Sequence, residues 1–248
     1  MTILSRLAFL VVLIFVWWLA SLYVPRGLFA SPMATAEAAV RLWSEGRLQG
    51  ALGQSLVNYS VGVLLASVVG IGVGLLMGAF RPLGNMLDIF VYALAATPRV
   101  AFIPLIIVLL GLGFTAKIFI IFLGAVMPIV LNTYSGVQNV DDDLIEMARS
   151  VGASKARIFR EVVLPSATPF LVVGLRLGAT IGLINTVVAE LYTAVNGLGG
   201  LLAIYGNTFR MAEYFVVVLL LSLIGVTVTE GLRLVENRLM RWRSPTRG

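Results

Sequence analysis

Long uninterrupted apolar blocks are the feature of this sequence that most restricts its fold. Leu7–Tyr23 and Leu56–Phe80 contain no charged residue, and a helix of about 20 apolar residues crosses the hydrocarbon core of a bilayer. The blocks are longer than a bilayer-spanning strand of about 10 residues, and they do not alternate between polar and apolar residues. Only helices and closed barrels satisfy their backbone polar groups in lipid. The sequence therefore predicts an all-α integral membrane protein.

The composition excludes several other classes of protein. Charged residues make up 12% of the chain, whereas soluble domains contain about 25%. The absence of Cys and His excludes thiol chemistry, Cys/His metal sites and histidine acid–base catalysis. The net charge of +6 fits basic residues at the cytoplasmic ends of spans. Because no basic run carries interleaved aromatic residues, we expect membrane lipid and no nucleic acid as a partner.

Six apolar blocks predict about six transmembrane helices. They are Leu7–Tyr23, Leu56–Phe80, Met86–Leu112, Ile118–Val137, Phe170–Ala194 and Tyr214–Leu234. Trp17, Trp18 and Tyr23 resemble an interfacial belt, which favours a retained first span over a cleaved signal peptide. Pro98 and Pro104 predict an interruption of the third span.

The connections between the blocks suggest a division of the chain. Residues 1–54 are predicted to hold the first span and an amphipathic segment on the outer surface, residues 55–236 the core transmembrane domain, and residues 237–248 a basic cytoplasmic tail. Residues 196–213 are predicted to form a glycine-rich loop that dips back into the protein. Its first part, residues 196–207, is predicted to serve as an outer gate or a partner contact, or else as a flexible turn. With both termini in the cytoplasm, eleven basic residues lie on that side and five on the other. The positive-inside rule favours this orientation.

Small residues recur at every fourth position of the second block. Gly62, Ala66, Gly70, Gly74 and Gly78 lie on one helical face and form a groove that another helix can approach closely. Packing within the chain is the simpler interpretation, and a functional groove is the alternative.

Polar residues at membrane depth are candidates for lining a pathway or gate through the membrane: Arg99, Asn132, Asn185 and Glu190. A carboxylate at this depth is costly unless it is solvated or paired, so Glu190 either lines the pathway or bonds between helices. A carboxylate repels anions, which favours a gate or pairing role over a substrate ligand. Arg99, beside Pro98, is its candidate partner. The two asparagines contact substrate or bond across helices.

A polar segment at residues 141–165 interrupts the apolar pattern on the predicted cytoplasmic side. Asp141 is predicted to cap a first helix and Ser154 a second one. Gly152 permits a positive φ between them, and Pro165 is predicted to limit the second helix before the next span. Two short amphipathic helices joined at a glycine indicate a docking surface for a soluble partner.

This segment resembles the E-A-A loop in permease subunits of ATP-binding-cassette importers. That pattern is Glu-Ala-Ala, three residues, Gly, nine residues, Ile, one residue and Leu-Pro. The matching residues are Glu146, Ala148, Gly152, Leu164 and Pro165, with Met147 and Val162 as apolar departures. Further short matches, from Ser55-Leu56 to Gly197-Leu198-Gly199, resemble the branch that imports nitrate, sulfonates, taurine or pyrimidine precursors.

The resemblance implies a type I importer permease fold with cytoplasmic coupling helices, in a bacterial inner membrane. It assigns ATPase coupling to Glu146, Ala148, Gly152, Ala153, Ile158, Leu164 and Pro165. The implied partners are two ATPase subunits, a second permease subunit (most simply an identical one) and an extracytoplasmic solute-binding protein. The chain lacks the Gly-x-x-x-x-Gly-Lys-Ser/Thr phosphate loop. We therefore expect no enzymatic activity in this chain, and ATP and Mg²⁺ in the partner ATPase.

Two other functions deserve comparison with the importer permease. A secondary transporter or channel without an ATPase is the alternative, and such folds often show repeated halves and ion-coupling carboxylates. The sequence has no convincing repeat, and residues 141–165 would have no role in such a protein. A membrane-embedded enzyme needs converging catalytic side chains, which one deep Glu without His or Cys does not supply.

Overall fold

The computed structural model of the protein describes residues 3–25, 27–193 and 196–239, and within these ranges it contains helices and no strand. The α-helices are α1 (Ile3–Tyr23), α2 (Pro32–Ser44), α3 (Arg47–Ala79), α4 (Arg81–Ala96), α5 (Ile103–Leu110), α6 (Phe114–Gln138), α7 (Asp142–Ser150), α8 (Lys155–Ile158), α9 (Leu164–Thr193), α10 (Leu198–Asn207) and α11 (Met211–Leu239). A 3-10 turn at Arg99–Phe102 precedes α5, and a π-helical segment at Phe159–Val163 joins α8 to α9. Ala194 and most of the predicted basic tail, residues 240–248, lie outside the described residues.

Within the part of the chain that the structure describes, five helices are long and apolar enough to cross a membrane: Ser5–Tyr23, Arg47–Ala79, Phe114–Gln138, Lys155–Thr193 and Met211–Glu236. A sixth candidate span consists of Arg81–Ala96 and Arg99–Leu110, which meet at a bend of 81°. The bend lies at Pro98, one of the two prolines from which an interruption was predicted. The prediction of an all-α membrane protein with about six spans is confirmed.

The chain forms two compact units. The first comprises residues 1–57 and 190–224, and the second comprises residues 58–189 and 225–248. In the second unit, the glycine face of α3 packs on α6: Gly62 lies against Ile121, Gly70 against Ile129, Gly74 against Thr133 and Gly78 against Val137. A Cβ added to Gly74 would lie 2.6 Å from Thr133 Cβ, whereas carbon atoms in contact lie about 3.5 to 4.0 Å apart. The glycines therefore allow an approach that any larger residue would prevent.

The predicted helix limit at Pro165 is wrong. Residues Lys155–Thr193 run as one helix of 39 residues. The π-helical turn explains this continuity, because Leu164 N–H donates to the carbonyl of Phe159, five residues back. Pro165 follows directly after this π-helical turn, and the helix continues through it.

The predicted loop at residues 196–213 is also wrong over most of its length, because α10 occupies Leu198–Asn207. Its glycines suggested a loop, since glycine lowers helix stability by about 1 kcal/mol relative to alanine. Burial outweighs this cost: Leu198, Gly199, Gly200, Leu202 and Tyr205 of α10 are all buried.

Candidate functional site

The first helix of the polar segment begins at a side-chain cap. The Asp141 carboxylate accepts a hydrogen bond of 3.0 Å from Asp143 N–H. Asp142 and Asp143 in the first turn of α7 place negative charge at the positive end of the helix dipole. Both features are local, which is why the sequence predicts the start of this helix.

The same helix ends at Gly152 in a Schellman motif. Gly152 N–H donates to the Arg149 carbonyl at 2.9 Å, and Ala153 N–H donates to the Ala148 carbonyl at 3.1 Å. Gly152 has φ +80°, a conformation that glycine adopts without steric cost. Ser154 then caps α8, its hydroxyl accepting a hydrogen bond of 3.3 Å from Arg157 N–H. Two complete caps fix the joint between the helices.

The polar segment has one apolar face toward the protein and another toward its surroundings. Ile145 and Ala148 pack on a buried cluster formed by Val137, Val140, Ile158, Val163 and Ala167. Leu144, Met147 and Val151 lie three and four residues apart and are 40%, 60% and 79% exposed; we call these three residues the docking face. An exposed apolar patch rimmed by charged residues is typical of a protein interaction surface.

Some of the residues assigned to ATPase coupling by resemblance are buried against the protein, and others are exposed. Glu146 is exposed on α7, Ala148 and Ala153 are half-buried, and Ile158 is buried. Leu164 and Pro165 begin α9, half-buried and exposed respectively. The segment is thus a preformed pair of helices, α7 and α8, anchored by the buried Ile158; we call this pair the lever. The coupling roles of these residues stay predictions.

Glu190, in the first unit, acts as a remote cap for α10. Its side chain is fully buried, and its Oε2 accepts hydrogen bonds from Ser55 Oγ at 2.7 Å and from Gly199 N–H at 3.0 Å. Ser55 Oγ in turn accepts the N–H of Leu198 at 2.8 Å. A carboxylate at the N-terminus of α10 both pairs free N–H groups and complements the helix dipole.

Gly197 makes this arrangement possible. It has φ +93° and ψ 176°, a region of backbone space that is essentially restricted to glycine. A Cβ at this position would overlap the Glu190 carboxylate. Gly197 therefore lets the backbone pass close to the Glu190 carboxylate, which a larger residue at this position would displace.

An ionic cluster holds the other end of α10. Glu213 Oε1 accepts hydrogen bonds from Arg41 Nη2 at 2.6 Å and from Arg210 Nη2 at 2.7 Å. The hydrogen bond to Glu213 raises the pKa of Arg210 above its ordinary value, so this side chain stays cationic at any working pH. The Arg210 guanidinium also lies 5.1 Å from the ring centroid of Tyr205, within cation–π distance.

A cavity of about 210 Å³ lies between the first two turns of α3 and α10. Its polar lining comes from Arg47, Gln54 and Asn196, and glycine backbone forms much of the remaining wall. Within the described residues, no three acidic side chains gather into a group that would hold a metal ion.

Arg99 and Asn185 lie on either side of Gly124 in the second unit. Arg99 donates to the Gly124 carbonyl at 3.0 Å and to the Ala95 carbonyl at 3.1 Å. The Asn185 amide packs so closely on Gly124 that a Cβ there would overlap it. Asn132, two turns further along α6, donates to the Pro128 carbonyl at 2.8 Å. The pairing of Arg99 with Glu190 stays a prediction.

Sequence reasoning did not find the partners of the buried and ionic groups. Ser55 and Glu190 are 135 residues apart, and no periodicity relates them. The pairing of Arg210 with Glu213 could have been predicted, because they lie three residues apart at the start of an apolar block and residues at this spacing are neighbours on a helix. Their third partner, Arg41, has no such signal.

Comparison with known proteins places these features in context. Residues 66–241 match the profile of a family described as the binding-protein-dependent transport system inner membrane component. A protein of Methanocaldococcus jannaschii named as an ABC transporter permease is 38% identical, over 79% of this chain and 77% of the relative. The taurine transport system permease protein TauC of Escherichia coli is 30% identical, over 94% and 87% respectively. The nitrate import permease protein NrtB of Synechocystis is 29% identical, over 74% and 66%.

Solved structures share the fold. A chain of the methionine ABC transporter MetNI in an inward-facing conformation superposes with a TM-score of 0.69, covering 79% of this chain and 97% of that chain at 22% sequence identity.

Proposed function

The chain belongs to the family of binding-protein-dependent transport system inner membrane components, the permease subunits of ATP-binding-cassette importers, and from this premise we propose that α7 and α8 receive the work of ATP hydrolysis. In this family separate subunits hydrolyse ATP and a substrate-binding protein delivers the solute. This chain is thus a transport component and carries no ATPase activity of its own.

The exposure of the docking face is the observation that carries the proposal. Leu144, Met147 and Val151 present apolar surface on a helix outside the candidate spans. Both helices of the lever are capped within the chain, so little conformational entropy is lost when a partner binds. A groove on the ATPase that covers this face would gain the hydrophobic free energy of its burial.

The proposed orientation places the lever and both termini in the cytoplasm. Arg149, Lys155, Arg157 and Arg160 lie in or beside α7 and α8, and basic residues concentrate on the cytoplasmic side of membrane proteins. The ATPase partners bind ATP and Mg²⁺ there. By its family resemblance, the complete transporter holds two ATPase subunits and two permease subunits, most simply two copies of this chain.

The proposed cargo is a small anionic solute of the sulfonate or nitrate type, with a pyrimidine precursor as the alternative. Two relatives are named as taurine and nitrate permeases. The cavity lined by Arg47, Gln54 and Asn196 would lie on the outer side of the membrane and offers one cation and two amides. Arg99, Asn132, Asn185 and Glu190 are the proposed pathway or gate residues, with Glu190 controlling α10 rather than binding solute.

Substitution at Gly152 tests the lever. Among the described residues, apart from its two chain neighbours, nothing lies within 4 Å of a Cβ added at Gly152. Gly152→Val and Gly152→Asn therefore differ chiefly in how they tolerate φ +80°. Asn enters the left-handed region readily, whereas β-branched Val is an outlier there. We expect Gly152→Val to reduce ATPase stimulation by the loaded binding protein about tenfold, in line with a backbone cost of about 1 to 3 kcal/mol, and Gly152→Asn to retain most of it.

The measurement compares the two variants in complexes purified with the transporter's own ATPase and binding protein. Immunoblotting of membrane fractions checks that the Gly152→Val and Gly152→Asn variants insert into the membrane equally. Normal transport and normal ATPase stimulation by Gly152→Val would show that the lever does not work as proposed.

A further inference from the structure

The arginine at the bend of the third span contacts a carbonyl that proline has left free. Pro128 lies inside α6 and has no N–H, so the carbonyl four residues earlier, on Gly124, loses its helical partner. Arg99 Nη1 donates to this carbonyl at 3.0 Å. The guanidinium thus replaces the hydrogen bond that proline removes from α6.

The second hydrogen bond of this guanidinium serves another helix break. Arg99 Nη2 donates to the Ala95 carbonyl at 3.1 Å, in the last turn of α4, where carbonyls lack helical partners. The chain then bends by 81° before α5. A planar guanidinium holds two donors in a fixed fork, so one side chain can join the end of α4 to the middle of α6.

The contact between Arg99 and Gly124 is connected to the lever by a continuous series of packed residues. Lys155–Thr193 is a single helix, and Asn185 on this helix packs directly on Gly124. The 30 residues from Lys155 to Asn185 correspond to about 45 Å of helix. Packed contacts thus connect this helix to Gly124, and the hydrogen bond from Arg99 connects Gly124 to the bend.

We infer that Arg99 is a positioning residue: its hydrogen bond to the Gly124 carbonyl, which we call the latch, replaces the one that Pro128 removes from α6, and coupling of ATP hydrolysis to transport requires this bond. The inference rests on the proposed function of the lever. It assigns Arg99 a mechanical role through two backbone carbonyls, without contact to the solute.

The test exploits the missing N–H of Pro128. Arg99→Gln should reduce ATPase stimulation by the loaded binding protein, relative to basal activity, by about tenfold, a coupling of the size seen between contacting groups. Adding Pro128→Ala restores an N–H for the Gly124 carbonyl and should return the ratio to within about twofold of that of Pro128→Ala alone. Arg99→Lys supplies one compact donor group instead of a fork. Its ratio of stimulated to basal ATPase activity should fall between those of Arg99→Gln and the natural chain.

Pro169→Ala is the matched control, because Pro169 also lies inside a span, in α9, and its substitution supplies no partner to Gly124. It should not rescue Arg99→Gln. The ratio is measured per assembled complex that still contains the ATPase, so failure of the lever, seen with Gly152→Val, is separate from failure of the latch. An unchanged ratio in Arg99→Gln, no rescue by Pro128→Ala, or equal rescue by Pro169→Ala would each overturn the inference.

Discussion

Gly197→Ala is the substitution for which the structure gives the clearest magnitude. The backbone at this position has φ +93° and ψ 176°, and forcing a residue with a Cβ into this region costs about 1 to 3 kcal/mol. The new Cβ would also displace the Glu190 carboxylate. Losing one hydrogen bond to a charged, buried group costs a further 1.5 to 3 kcal/mol, roughly. We therefore expect a total loss of about 2.5 to 6 kcal/mol, a large part of a typical stability of about 5 to 15 kcal/mol.

Gly206→Ala is the matched control in the same helix. A Cβ at Gly206 would lie 3.4 Å from Tyr214 Cε2, an ordinary contact, and its φ is not positive. Alanine favours a helix interior over glycine by about 1 kcal/mol. This variant should be as stable as the natural chain or slightly more stable.

Thermal unfolding of the two variants in nanodiscs, with hydrogen exchange at the amides of α10, measures the difference. Gly197→Ala should lower the unfolding temperature and expose the Leu198 and Gly199 amides to exchange, since Ser55 and Glu190 accept from them. Equal stability and equal protection in Gly197→Ala and Gly206→Ala would refute the remote-cap explanation.

Two further predictions concern helix packing. Gly74→Ala should destabilise the protein by about 1 to 3 kcal/mol through overpacking, because its Cβ would meet Thr133 at 2.6 Å. Gly72→Ala should be neutral, because a Cβ there meets nothing within 4 Å among the described residues outside the adjoining backbone of its own helix. Equal unfolding temperatures would contradict the packing of α3 on α6. Arg176→Gln should cost about 1 kcal/mol, because Arg176 pairs with Glu236 at 2.8 Å. Exchanging the two charges should recover part of this loss in the same thermal assay, and additive losses would argue against the pair.

The features that were predicted correctly depend on neighbouring residues. Hydropathy predicts the spans because a bilayer demands a fixed length of apolar helix. Asp141, Gly152 and Ser154 predict the lever because capping acts within three or four residues. The glycine spacing of α3 indicates close packing, although the sequence does not say that α6 is the partner.

The errors arise where distant residues decide the local structure. The helix α10 forms in a glycine-rich sequence because Glu190 and Ser55 supply its N-terminal hydrogen bonds, and Ser55 comes from α3. The chain passes Pro165 because the π-helical turn at Phe159–Val163 changes the hydrogen-bond register. The contact between Arg99 and the Gly124 carbonyl depends on the 81° bend between α4 and α5. The spacing of residues along the sequence predicts an interruption at Pro98 but not this angle.

Cross-linking from the docking face tests the central claim most directly. The natural chain has no Cys, so Met147→Cys introduces a unique thiol on this face, and Thr208→Cys introduces one on an exposed residue beyond α10. In the assembled transporter, a short thiol-to-amine cross-linker should join the Met147→Cys variant to the ATPase, and loss of the ATPase should abolish the product. The same product from Thr208→Cys, or none from Met147→Cys in a functional complex, would contradict the account.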